Sequence, residues 1–229
     1  MKKDPSKKEN RAYVVISVLV FIVIILTILF AGNSLTPAYI DDDLLERNNW
    51  SEDISERFYM KRLFGLEKQC SFTYRVNNNS ETYPAYVTVT TIKTLFMMSE
   101  NDLLQETIET IKNEANNQNL LLDDTSRVSG QREINNNHRT MYVIFNGTDE
   151  SKKKSEKIKI IGETWNCAPS GTSVICIGFA QVTDFSHNKT SENLVNWAMI
   201  LKDEAGTFTT LYNDSIFKGD GLIYNVKCH

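Results

Sequence analysis

The chain has 229 residues, 41% of them hydrophobic and 24% charged, with a net charge of −4. That is long enough for one ordinary domain with a real core, and the mildly acidic balance excludes the sequence-independent grip on nucleic acid that a basic chain would have. No HExxH, GxSxG, CxxC or glycine-rich phosphate loop occurs, so the usual metallohydrolase, serine hydrolase and nucleotide-binding signatures are absent.

Residues 1–11 form a basic tail in which Lys2, Lys3, Lys7, Lys8 and Arg11 outweigh Asp4 and Glu9. Residues 12–32 then run for 21 positions without a charge, and 15 of the 18 residues from 13 to 30 are Val, Ile, Leu or Phe. A helix of that length would measure about 31 Å, matching the hydrocarbon thickness of a bilayer. The expectation is therefore an N-terminal transmembrane helix over 12–32, with the lipid bilayer as its partner. The positive-inside rule leaves the N-terminus cytoplasmic and the rest outside, as in a single-pass type II protein of the cell membrane. A cleaved secretory signal is the alternative, for which Phe30-Ala31-Gly32 makes a poor cleavage site.

Beyond it, 33–47 reads as a stalk and 48–229 as an extracytoplasmic domain. Ser51 is placed to cap a helix carrying Ile54, Phe58, Leu63 and Leu66, with Gly65 near its end. Two-residue alternation then predicts strands over 70–76 and from 85 to 91. Ser99 can cap a helix whose Leu103, Leu104, Ile108, Ile111 and Ala115 form a stripe at helical spacing. A short strand over 120–122 follows, then a hairpin of 128–134 and 138–145 turning at Asn135, Asn136 and Asn137. A second hairpin, 157–165 with 172–182, turns through 168–171. Thr190 or Ser191 starts a helix with Leu194, Trp197, Ala198 and Leu201 on one side. A last hairpin joins 207–217 to 222–227.

Hairpin-linked strands interspersed with helices predict an α+β domain, an antiparallel β-sheet covered by helices. From about 84 to 203 this element order resembles the PsbP-like and LpqN-like exported sandwich domains, in which two helices cover a central antiparallel sheet. The resemblance lies in element order and carries no site residues over. It implies an exported, non-catalytic accessory or binding domain.

The four cysteines, Cys70, Cys167, Cys176 and Cys228, permit two disulfides in an oxidising compartment. Cys70 opens the first expected strand and Cys228 closes the last, so antiparallel neighbours would pair them. Cys167 and Cys176 could bridge their hairpin if its turn centred near Gly171 and Thr172. The competing reading makes Cys176, between two isoleucines, a buried free thiol. Sequons stand at Asn49, Asn78, Asn146, Asn188 and Asn213 as candidate glycosylation sites, each equally readable as a turn-forming Asn.

His138, His187 and His229 are the only histidines and share no ligand spacing, so neither a metal site nor a catalytic residue is nominated, and no cofactor is expected. Asp41–Asp43 and the pair Asp123 and Asp124 lack the spaced form of a calcium loop and read as solvated charge. The function this supports is a non-catalytic binding, scaffolding or accessory role at the cell surface, with a membrane or cell-surface protein as partner. The alternatives are an extracytoplasmic hydrolase with a carboxylate pair, and an accessory subunit of a membrane complex.

Overall fold

The computed structural model describes residues 16–25, 34–62, 65–77, 83–151, 154–185, 191–208 and 219–229. Among them, eight strands form one antiparallel sheet: β1 (Trp50–Glu52), β2 (Phe58–Arg62), β3 (Glu67–Val76), β4 (Ala85–Thr94), β5 (Leu120–Glu133), β6 (Arg139–Asp149), β7 (Glu156–Cys167) and β8 (Thr172–Gln181). The lateral order is β1-β3-β4-β8-β7-β6-β5, with β2 sharing the outer edge of β3. Among the described residues beyond 40 the α-helices are α1 (Asp42–Arg47), α2 (Glu100–Asn117) and α3 (Val195–Leu201).

The α+β expectation is thereby corrected to a mostly β architecture with few helices. Most of the difference lies where a helix was expected from Ser51. Phe58 to Arg62 pairs with Ser71 to Glu67, and Trp50 to Glu52 with Val76 to Tyr74. The outer edge of β3 presents backbone donors and acceptors that need partners, and pairing there outweighs a weak helical stripe.

The membrane helix is also corrected. Among the described residues no helix is long and apolar enough to cross a membrane. Residues 16–25 are helical with exposed apolar side chains, but ten residues at ~1.5 Å each span about half of a ~30 Å hydrocarbon core. Residues 12–15 and 26–32 lie outside the described residues, and the single-pass, signal-anchor and cell-membrane assignments fall with the span. Residues 34–47, read as a stalk, pack on the sheet: Ala38 and Ile40 are buried, Leu44 and Leu45 of α1 join them, and Tyr39 bridges Lys227.

Each face of the sheet has its own core. On one, Leu104, Ile108 and Ile111 of α2 meet Val143, Phe145, Ile158 and Ile160. Ser99 caps α2 as expected, its Oγ accepting from the Asp102 N–H at 3.2 Å. On the other face, Val87, Val89, Ile144, Trp165 and Val174 lie beneath α3, residues 38–45 and residues 222–228. Glycine lets a helix approach on both sides. A Cβ on Gly162 would stand 2.5 Å from Thr107 Cγ2 of α2, and one on Gly178 2.6 Å from Ile200 Cγ2 of α3.

The hairpin β5–β6 turns through Asn135 to Asn137, with Asn137 at a φ of 60°. The strands expected over 120–122 and 128–134 are one strand, with a register shift between Asp123 and Val128. There Asp123 Oδ1 accepts from the Thr125 N–H at 2.9 Å and from its hydroxyl at 2.6 Å. The last expected hairpin is not formed among the described residues: 223–225 is a 3₁₀ turn, Lys227 makes a single bridge, and 209–218 lie outside them.

Candidate metal centre

All four cysteines are free and buried, and no disulfide forms. Cys70 on β3 stands opposite Tyr59 and Thr91, with β4 and β8 between its strand and β7. Cys228 sits beyond that side, so the expected pairing of Cys70 with Cys228 is corrected. In the β7–β8 hairpin the register sets Cys167 opposite Thr172 and Cys176 opposite Glu163. The turn centres on Pro169 and Ser170, which leaves these two cysteines four residues apart along the ladder and unable to bridge. Cys176 is the buried thiol of the competing reading, and burial pushes its pKa up.

Cys167 and Cys228 instead meet each other and two histidines. His138 leaves the β5–β6 turn, Cys167 is the last residue of β7, and Cys228 and His229 follow the bridge at Lys227. One ligand atom from each lies within 4.8 Å of all the others. Cys228 Sγ is 3.2 Å from His138 Nε2, and His229 Nδ1 is 3.4 Å from Cys167 Sγ and 3.6 Å from Cys228 Sγ. A tetrahedral ion with bonds of ~2.3 Å to sulfur and ~2.05 Å to nitrogen sets its ligand atoms about 3.3–3.8 Å apart. Two of the three sulfur–nitrogen distances fall within those edges, and the Cys228–His138 distance of 3.2 Å is about 0.1 Å short of them.

The surroundings favour a thiolate at Cys167. The thiol of Cys228 donates to Cys167, and this bond, against the opposing effect of burial, pulls the Cys167 pKa down to about 4, helped by Ser170 and His229. The same bond, with burial, raises that of Cys228. Asn136 Nδ2 approaches Cys228 Sγ at 3.9 Å. The Trp165 indole N–H is buried without a hydrogen-bond partner among the described residues. An N–H donor such as Asn136 Nδ2 orients a metal-bound sulfur and tempers its charge. The His138 ring stacks toward Trp165 at 6.5 Å and meets the His229 ring edge-on at 5.4 Å.

The fold comes to this site from three directions. The Asn turn delivers His138, the end of β7 delivers Cys167, and paired backbone bonds between Tyr39 and Lys227, at 2.9 and 2.8 Å, deliver the segment carrying Cys228 and His229. The ligands are 29, 61 and 1 residues apart, which matches no local motif. The adjacent Cys228-His229 pair was the one signal available in the sequence.

Beside it on the same face lies a buried ionic network. Arg132 holds both oxygens of Glu163 at 2.8 and 2.6 Å, and also the Leu201 carbonyl at 2.5 Å and Asp203 at 3.4 Å. Thr140 donates to Glu163 at 2.5 Å, and the Arg132 guanidinium lies 4.7 Å from the Phe208 ring centre. These carboxylates are consumed in joining β5, β7 and the end of α3.

Of the other candidate residues, Asn49 is exposed in a turn at a φ of 61° and donates to the Asn77 carbonyl. Asn146 lies inside β6, paired with Asp123 and Lys159, and its Oδ1 accepts from Lys159 at 2.7 Å. His187, Asn78, Asn188 and Asn213 lie outside the described residues. Asp41 pairs with Lys227, and Asp124 with Lys112 at 2.8 Å.

No protein-family model matches the chain, and neither curated proteins nor solved structures yield a match.

Proposed function

We propose that this protein is a non-catalytic binding or scaffolding domain completed by one structural zinc ion, held by His138, Cys167, Cys228 and His229. The observation that carries the reading is the convergence of four soft ligand atoms from three separate segments within 4.8 Å. Two thiolates and two imidazoles in a tetrahedral set favour zinc over the hard, oxygen-seeking cations. Four protein ligands fill the ion's coordination and leave no position for a reactive water, which is the pattern of a structural site. Such an ion would fasten residues 222–229 over Trp165 and, through the Tyr39–Lys227 bridge, residues 38–40 as well. The hydrolase alternative finds no support in the buried carboxylates, because Glu163 and Asp203 are engaged by Arg132.

Metal analysis of the purified full chain tests this. The expected result is one zinc per chain, and on replacement by cobalt(II) a visible spectrum with tetrahedral d–d bands and a sulfur-to-cobalt charge-transfer band. Cys167→Ser and Cys228→Ser should each abolish the charge-transfer intensity of their own sulfur, and His138→Ala should weaken retention of the ion. A folded chain that takes up no stoichiometric zinc or cobalt with its thiols reduced would overturn the assignment.

A further inference from the structure

A cavity of about 570 Å³ opens on the sheet face that carries the cysteine cluster, at the other end of β7. Ile158 and Ile160 pack beneath α2, so by two-residue alternation Lys157 and Lys159 turn to the opposite face, with Trp165 and Cys167. Lys159 precedes Cys167 by eight residues, about 27 Å at ~3.4 Å each. The strand register lays the floor of the cavity in two rows. Leu121, Thr148 and Lys157 stand opposite one another on β5, β6 and β7, and Val182 continues that row by donating its N–H to the Lys157 carbonyl at 2.9 Å. Asp123, Asn146 and Lys159 form the next row, two residues along.

The charged groups on this lining are not equally engaged. Lys157 Nζ pairs with Glu192 at 2.7 Å, and at the β5 rim Asp123 Oδ1 accepts from the Thr125 hydroxyl and N–H. Lys159 differs, because its Nζ donates to the neutral Asn146 Oδ1 at 2.7 Å and makes no ion pair among the described residues. An ammonium has three N–H donors, so two remain. The side chain is half-buried, and burial holds its pKa below the ordinary 10.5, Glu192 opposing that effect and Lys157 adding to it. A partly desolvated cation without a counterion is costly, and a bound anion would remove that cost. Asn146 Nδ2 and the Thr148 hydroxyl, one on each row, carry no hydrogen bond among the described residues and add two neutral donors beside it.

We infer that this cavity binds a small organic carboxylate with an apolar body, its carboxylate on Lys159 and its body along Leu121 and Val182. A carboxylate brings one negative charge to the one lining cation that has no counterion, whereas a phosphate monoester brings about −1.5 to −2 at neutral pH. Its two oxygens can take donors from Lys159 and from Asn146 or Thr148. Leu121 supplies the apolar contact: it is 58% exposed, so a ligand lying on it removes hydrocarbon from water. The volume is in the range of small-molecule sites, roughly 300–1,000 Å³, and exceeds what a bare ion fills. The site gives the binding role proposed above a ligand class, and it stands apart from the zinc cluster and does not depend on it.

Calorimetric and NMR titration of the full chain with sodium octanoate tests the site. The expected result is saturable one-to-one binding, with amide shifts confined to β5, β6 and β7 around Leu121, Asn146 and Lys159. Lys159→Gln removes the charge and Asn146→Asp supplies Lys159 with an internal counterion, and each should weaken octanoate at least about tenfold. Leu121→Ser should weaken it about fivefold, and acetate and inorganic phosphate, which lack the apolar body, should each bind at least about tenfold more weakly than octanoate. These positions are exposed or half-buried, and circular dichroism checks that each variant stays folded. Zinc content is measured on the same samples. Octanoate bound by a chain that takes up no zinc would overturn the metal reading alone, and zinc held without saturable octanoate binding would overturn this inference alone. Binding indifferent to K159Q and N146D, or phosphate bound as tightly as octanoate, would also overturn it.

Discussion

On one face of the sheet a single 18-residue helix closes the core with its own stripe of Leu104, Ile108 and Ile111. The opposite face is closed by pieces drawn from residues 38–47, 195–208 and 222–228, none long enough to bury an apolar stripe alone. The difference extends to chemistry. The helix-covered core is apolar, whereas the assembled face contains the Arg132–Glu163–Asp203 network and the Cys167, Cys228, His138 and His229 cluster. A long amphipathic helix is aligned by its own periodicity. Short segments bring little periodicity with them, and directional groups at their ends specify where each one docks.

The sharpest way to break that comparison is at Glu163. Replacing it by Ala leaves Arg132 buried and opposite only Asp203, and the expected loss is about 3–5 kcal/mol of unfolding free energy by urea titration. A joint change of Arg132, Glu163 and Asp203 to apolar residues of similar volume should recover most of that loss. Recovery would show that the network selects an arrangement more than it adds stability, and failure would show that it stabilises outright.

Steric tests under each helix come next. Gly162→Ala and Gly178→Ala each drive a methyl group into a helix side chain, at 2.5 and 2.6 Å, and each should cost about 1–3 kcal/mol. Hydrogen exchange then separates the faces. G162A is expected to loosen α2 along its length, whereas G178A should loosen α3 together with residues 222–225, because Ile223 Cδ1 also lies within 3.6 Å of the added atom. Equal and uniform deprotection in both variants would contradict the contrast between a self-aligned helix and docked pieces.

Removing the α2 cap sharpens the comparison at a smaller scale. Ser99→Ala deletes the acceptor for the Asp102 N–H and should lower stability by about 1 kcal/mol. Its effect should remain within α2, without disturbing the cobalt spectrum of the metal site.

The smallest effect concerns pH at the β5 register shift. Hydrogen bonds from the Thr125 hydroxyl and N–H hold the Asp123 carboxyl below its ordinary value of 3.8. A carboxyl lowered on folding contributes stability that is fully present above its unfolded value and is lost as pH falls through the lowered folded value. Carbon-13 NMR titration should find Asp123 ionising below 3.8, and Thr125→Val should return it toward that value. An unchanged titration in the variant would remove Thr125 as the cause.

Local pattern by itself determined the parts whose partners are near in sequence. Ser99 and the stripe from Leu103 to Ala115 wrote α2 from its cap onward, and two-residue alternation wrote the β5–β6 and β7–β8 hairpins, because caps, turns and periodicity act over a few residues. The apolar run at 12–32 had a periodicity-free composition that read as a span, and the described helix of residues 16–25 is too short for one. Only the tertiary structure decided the rest. Phe58 to Arg62 became a strand because β3 had an edge to fill, and Ala38 and Ile40 became core because Tyr39 between them bridges Lys227. Cys167 was assigned to Cys228 and not to Cys176 by a turn centred two residues earlier than a bridge would need. The ligand set had no spacing to read, since its members are neighbours only after β7, the Asn turn and the segment past Lys227 converge, and convergence in space is a property of the packed chain that no local pattern encodes.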